Sequence, residues 1–203
     1  QVYDQQYLPL QKGIYQIYGV EEIVFGLKGA DTLRYELKTE VVDSVLLSKK
    51  GEYAYVIHHH TRINDSQEWE YRDTWSARLS GREAVITEGN TAYLKMAFPL
   101  VFNKKWNGNS YNSLEADDYK ILKVHQPYSV NGVEYVDCVV VEHENNTDII
   151  VATDKRSEVY SRNIGMIYKE VIQLFYCTAN DCLGQEEVES GVIYKQWMKS
   201  YGN

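Results

Sequence analysis

The chain has 203 residues, 44% of them hydrophobic, which suffices for one domain with its own core and is too apolar for a disordered segment. A net charge of −8 argues against a nucleic-acid partner, which needs a basic patch, and against docking on an anionic membrane surface. No apolar run is long enough to cross a bilayer as a helix.

The chain starts at Gln1 rather than Met, which reads as a processed product. Its polar lead, residues 1–6, fits a tether or a frayed terminus. From there period-two alternation dominates, the signature of half-buried strands. Eighteen tyrosines against four Phe and four Trp suit such strands, where a ring is buried and its hydroxyl stays wet. GIYQIYGVEEIVF reads as the first strand. TLRYELKTEV follows, with Leu33, Tyr35, Leu37, Thr39 and Val41 on one face. EYAYVIHHHTRI sets Tyr53, Tyr55, Ile57, His59, Thr61 and Ile63 against Ala54, Val56, His58, His60 and Arg62. TAYLKMAF, DYKILKV, VEYVDCVVVEH and TDIIVAT continue the series. Turn signals fall at Lys50-Gly51, Ser80-Gly81, Gly89-Asn90, Asn131-Gly132 and Asn145-Asn146, and Asn131-Gly132 is the sharpest hairpin signal. TDKRSEVYSRN, with a cap at Thr153 or Asp154, predicts two or three helical turns. MIYKEVIQLF and VESGVIYKQWMKSYG predict two long strands joined through a cysteine turn. The expectation is a single all-β domain over 1–203, mostly antiparallel, whose curved sheet forms a half-barrel, barrel or sandwich with one or two short helices.

Cys177 and Cys182 are five positions apart in that turn, a spacing that suits a disulfide and an oxidising compartment better than a redox or zinc motif. Two reduced thiols in a cytosolic turn is the alternative. Closing so small a loop contributes about 2 kcal/mol in the chain-entropy model. Cys138, in an apolar run, reads as a buried free thiol.

The three consecutive histidines are the first candidate site. On a strand His58 and His60 share a face and can reach one zinc, with His125, His143, Glu68 or Asp65 as third donor. Arg62 lies on the same face, and a cation beside a dication is unfavourable. The expectation is an ordinary strand face, with no metal and no cofactor. The oxygen-rich stretch Asn103–Tyr119 fails as an EF-hand, because Lys105 and Leu114 stand where ligands belong. It reads as a polar surface loop with Trp106 tucked beneath. Common hydrolase, metalloprotease and nucleotide-binding motifs are missing, although a carboxylate pair from distant strands stays open. Tyr53, Tyr55, Trp69 and Trp75 cluster along about 25 residues and are candidates for contact with a ligand. Core filling is the alternative for these rings.

The segments YLPLQKGIYQIY, FPLVFNKKWNGNSYN and SRNIGMIYKE together resemble a family of exported lipoproteins of Bacteroidetes-type bacteria. The resemblance implies an all-β envelope component, in some cases a half-barrel related to lipoprotein carriers. It implies export to the periplasm or cell surface, with outer-membrane anchoring only through a lipidated cysteine upstream of this chain. It carries no site residues. Three functions follow as expectations. The first is a non-catalytic envelope binding or structural module, contacting a small molecule, glycan, lipid or envelope protein. The second is a carrier of a hydrophobic ligand in a half-barrel groove. The third is a hydrolase using His58 and His60.

Overall fold

The computed structural model describes residues 2–47, 52–148 and 150–203. One helical turn, α1 (Val2–Gln5), precedes twelve strands. These are β1 (Tyr15–Gly26), β2 (Gly29–Leu46), β3 (Tyr53–Arg62), β4 (Glu70–Leu79), β5 (Glu83–Glu88) and β6 (Thr91–Ala97). Then come β7 (Lys105–Asn107), β8 (Asp118–Val130), β9 (Val133–Asp148), β10 (Ala152–Ser161), β11 (Gly165–Tyr176) and β12 (Val188–Gly202). All lie in one sheet of order β6-β5-β4-β3-β2-β1-β12-β11-β10-β9-β8-β7. Neighbours pair antiparallel, and β1 against β12 stitches the two ends of the chain together, from Tyr15 opposite Gly202 to Phe25 opposite Gly191.

A sheet this long curls, because each strand pair adds a right-handed twist. The free edges, β6 and β7, come together. The Leu94 amide donates to the Gly108 carbonyl (2.8 Å). The Trp106 indole N–H donates back to the Leu94 carbonyl (2.8 Å). The result is a nearly closed barrel whose two edges meet at this point. Gly108 is required at this seam, since a Cβ there would meet the Tyr119 ring.

The Asn131-Gly132 turn is realised, with both residues at positive φ (48° and 83°), as a type I′ hairpin demands. Cys177 and Cys182 are bonded across the β11–β12 connection, with Cα atoms 5.8 Å apart. Cys138 is a buried free thiol, and Trp106 is buried in the core cluster that holds Leu94 and Tyr119.

Three local expectations are corrected. The helix over residues 153–163 is strand β10 for most of its length, because Glu158 and Tyr160 are fully buried on the interior face and a solvated helix could not use them. Asn145-Asn146 is not a turn but lies within β9, paired with Lys155 and Asp154. The turn falls further on, in the segment expected as the strand TDIIVAT. There the Asp148 side chain accepts from the Ile150 amide (3.1 Å) and its carbonyl from the Val151 amide (3.2 Å). An aspartate that satisfies turn amides outweighs the β-propensity of Ile and Val. The Lys50-Gly51 turn lies outside the described residues.

The N-terminal segment docks against one end of the barrel. The Asp4 carboxylate accepts from the Leu100 amide (3.0 Å), and the Gln5 amide donates to the Ser80 carbonyl (2.8 Å). Gln6 accepts from Arg162 Nε (2.9 Å). Tyr7 is fully buried, its hydroxyl hydrogen-bonded to Asp137 and 2.8 Å from His125 Nδ1.

Candidate functional site

The interior holds charge. Lys95 of β6 is 5% exposed and Glu158 of β10 is 2% exposed. The Lys95 ammonium donates to Glu158 Oε1 (3.0 Å) and lies 2.8 Å from Glu88 Oε1 at the end of β5. Lys169 of β11 reaches Glu158 Oε1 at 3.3 Å, and the Tyr160 hydroxyl donates to Glu158 Oε2 (2.5 Å). Burial alone would raise the pKa of Glu158, but Lys95, His143 and Lys169 hold it well below the ordinary carboxylate range. Glu88 is likewise lowered against its burial, by Lys95 and Lys169. Burial would lower Lys95, and the two carboxylates raise it well above its ordinary value. A glycosidase-type pair needs one protonated acid. Glu88 and Glu158 are instead both held toward the ionised state by the ammonium they share, with Lys169 in support.

β-Bulges aim these side chains. On the β5–β6 pair, Ala84 faces Met96 and Val85 faces Leu94, so Lys95 is the extra residue. On β9–β10, Arg156 faces Glu144 and Ser157 faces Glu142, which makes His143 the extra residue. A bulge breaks the alternation and turns a side chain to the face its parity would forbid. Leu94, Lys95 and Met96 are accordingly all buried in succession. His143 stacks flat on Tyr119 (centroids 3.8 Å, 7°), with Nε2 3.5 Å from Glu158 Oε2.

Next to the ion cluster lies a partly open cavity of about 120 Å³. Leu37, Val41, Ile57, Trp75, Ile86 and Met166 supply apolar wall, and Leu8, Pro9 and Leu10 bring the docked N-terminal segment to it. Glu88, Lys95, Glu158 and Lys169 form the charged wall, and Glu40, paired with Lys38 (2.6 Å), also borders the cavity. His59 joins the lining from β3. It is 3% exposed, its Nδ1 is 2.7 Å from Asp73 Oδ1, and its ring stands edge-on to Trp75 at 4.1 Å. Burial lowers the pKa of His59 more than Asp73 raises it.

The candidates drawn from the sequence do not assemble into one site. His58 and His60 are neighbours (ring centroids 6.1 Å), and both rest edge-on against Tyr71. The proposed third donors lie elsewhere. His125 is at Tyr7 and Asp137, His143 at Glu158, and Asp65 pairs with Arg62 (2.7 Å), while Glu68 is exposed on the β3–β4 loop. Among the described residues no three His, Cys, Asp or Glu side chains are grouped to hold a metal. Of the four aromatic candidates, Trp75 lines the cavity, and Tyr55 is half-buried beside the same small core. Tyr53 is exposed next to Tyr55, and Trp69 lies under the Arg62 guanidinium (4.3 Å) away from the interior. Within HHH the parity signal was correct. His59 shares its face with Ile57 and is the histidine that enters the interior.

No protein-family model matches the chain, and no curated protein matches it. Two solved structures share the fold. One is a protein described as exported, with a YmcC-like fold, from Bacteroides fragilis NCTC 9343, which is 10% identical with a TM-score of 0.53 over 96% of this chain and 98% of that one. The other is a protein described as a lipoprotein from Parabacteroides distasonis ATCC 8503, 11% identical with a TM-score of 0.50 over 97% and 98%. At such identity the likeness speaks for the fold.

Two predictions follow from the buried charges. Lys95→Met removes the cation that Glu88 and Glu158 share, leaving Lys169 at 3.3 Å from Glu158 Oε1, and is expected to cost about 3–5 kcal/mol in urea unfolding. Adding Glu158→Gln to that variant should recover more than half. A Lys95→Met protein as stable as the parent contradicts the clamp. The second prediction concerns pH. Burial lowers the pKa of His59 and of His143 below the ordinary 6.5, so the unfolded chain binds more protons just under that value. Stability from these groups is complete above pH 6.5 and is lost as pH falls. The lowered Glu36, Glu88 and Glu158 extend the loss as pH drops below the ordinary 4.5 and through their folded values. Unfolding free energy should decline between pH 6.5 and 5, by at most about 1.4 kcal/mol per pH unit for each histidine. His143→Phe, which keeps the stack on Tyr119, should flatten the slope, and a profile flat from pH 7 to 5 would refute it.

Proposed function

We propose that this chain is an exported, single-domain module of the cell envelope that holds a small, mostly apolar molecule inside its barrel and carries out no chemistry on it. The observation that carries the reading is the cavity itself. It is walled by apolar side chains on one side and by self-neutralised charges on the other. Ligand sites have this composition, with a greasy lining and few polar groups. The neighbouring carboxylates are ionised and committed to lysines, which is the state of a structural clamp and not of a general acid.

The volume bounds the ligand. About 120 Å³ is near the ~150 Å³ of cavities that admit benzene. It is well below the roughly 300 Å³ at which drug-sized pockets begin. A ring or a short branched chain fits, which disfavours a full acyl chain and narrows the carrier function expected from the sequence. Export is supported by the Cys177–Cys182 bond, which persists in oxidising compartments. It is also supported by the two neighbours of the same fold, described as an exported protein and a lipoprotein. The same observations support a location in the envelope, at the periplasm or cell surface.

Toluene tests the reading. Titrated into the purified protein, it should shift the methyl resonances of Ile57, Ile86 and Met166 saturably and raise the unfolding temperature by mass action. If neither toluene nor cyclohexane moves those resonances, the cavity takes no ligand of this kind and the chain is a structural module.

A further inference from the structure

The lining of the cavity contains one polar group whose chemistry its own fold has prepared for a ligand. His59 sits between its register partners Thr39 on β2 and Asp73 on β4, buried to 3% exposure. Its Nδ1 lies 2.7 Å from Asp73 Oδ1, and a carboxylate can only accept, so Nδ1 carries the hydrogen. In a neutral imidazole the other nitrogen, Nε2, is then a bare acceptor. Desolvation keeps the ring neutral. Edge-on contact with Trp75 fixes the ring plane, so the acceptor is held in place.

The carboxylates and side-chain amides of the lining already hold partners, Glu40 among them, which accepts from Lys38 (2.6 Å). Glu88 and Glu158 hold Lys95. Gln16 Oε1 accepts from Thr39 (2.8 Å), and Gln196 Oε1 accepts from the Tyr194 hydroxyl (2.7 Å). The charges of Lys95, Lys169, Glu88 and Glu158 cancel within the wall and Glu40 is neutralised by Lys38, so an ionic ligand would meet no uncompensated partner there.

We infer that the cavity selects a small uncharged molecule with an apolar body and one hydroxyl, the hydroxyl donating to His59 Nε2 while the body packs between Trp75, Ile57, Val41 and Met166. This assigns the ligand class of the site under Proposed function and rests on that reading. The selectivity has a physical source. An apolar ligand of the same shape leaves a desolvated acceptor unpaired, and a site built for a hydroxyl discriminates against the analogue that lacks it.

Phenol and toluene, which differ by a hydroxyl in place of a methyl, are the probes. Affinities measured by titration calorimetry or NMR on the full chain give the phenol-to-toluene preference in the parent and in His59→Leu. The preference is expected to fall about fivefold to tenfold in His59→Leu, the worth of one neutral hydrogen bond. An independent readout needs no variant. The ¹⁵N resonance of His59 Nε2 in the parent protein should shift on adding phenol and stay in place on adding toluene. Toluene binding with an unmoved Nε2 resonance in phenol, or an unchanged preference in a folded His59→Leu, overturns this inference and leaves the apolar cavity reading standing. Binding of neither probe removes both.

Discussion

The fold depends on one buried ammonium. Lys95 stands in the interior of the barrel between Glu88 and Glu158, and none of the three could be there alone. Withdrawing a charge from water costs several kcal/mol, repaid only with partners in good geometry. Those partners come from different parts of the sheet. Glu88 is on the neighbouring strand β5, whereas Glu158 is on β10, near the far edge in strand order. The pair therefore forms only if the sheet curls until β6 faces β10. The same curl brings Leu94, one residue before Lys95, to Gly108 and joins the two edges there. Electrostatic pairing in the interior and hydrogen bonding at the edge are two readings of one geometry.

The strand framework was legible because alternation is local. β1, β2, β3, β11 and β12, the Asn131-Gly132 hairpin and the cysteine pair are visible in stretches of a dozen residues or fewer. What escaped was set by bulges and by tertiary burial. Lys95 in TAYLKMAF looks like a solvent-facing residue between two core residues, and only an extra residue in the ladder with β5 turns it inward. His143 is hidden in the same way on β9. Glu158 sits in a segment charged enough to read as a capped helix, and it becomes a strand because its carboxylate has a cation waiting across the barrel. The Asn145-Asn146 signal failed for a related reason. Asp148 offers the turn a better acceptor, and pairing with β10 overrides the asparagines.

The candidate site inherits its character from that framework. Where β2, β3 and β4 pass the docked N-terminal segment, the wall is mostly apolar, with Thr39, Glu40 and His59 as its polar members, and where β5, β6, β10 and β11 converge it is charged and mutually neutralised. The space between is small, its polarity confined to fixed groups. His58 and His60, the more conspicuous histidines, are spent on packing against Tyr71, while the single histidine between them is inserted into the interior by strand parity. A functional reading of HHH therefore belongs to its middle member. Two structures with the same fold at about one residue in ten identical show how few side chains this architecture prescribes.

The account stands on the closure of the barrel by the Lys95 clamp, and amide hydrogen exchange at Leu94 tests it most directly. That amide donates across the seam to Gly108, next to the residue whose ammonium crosses the interior. If the clamp closes the sheet, the Leu94 amide opens only with global unfolding, and its protection matches that of central strand amides such as Val20 and Ile172. Exchange at Leu94 near the rate of an unprotected amide, with β1 and β11 still protected, would show an open edge and contradict the account.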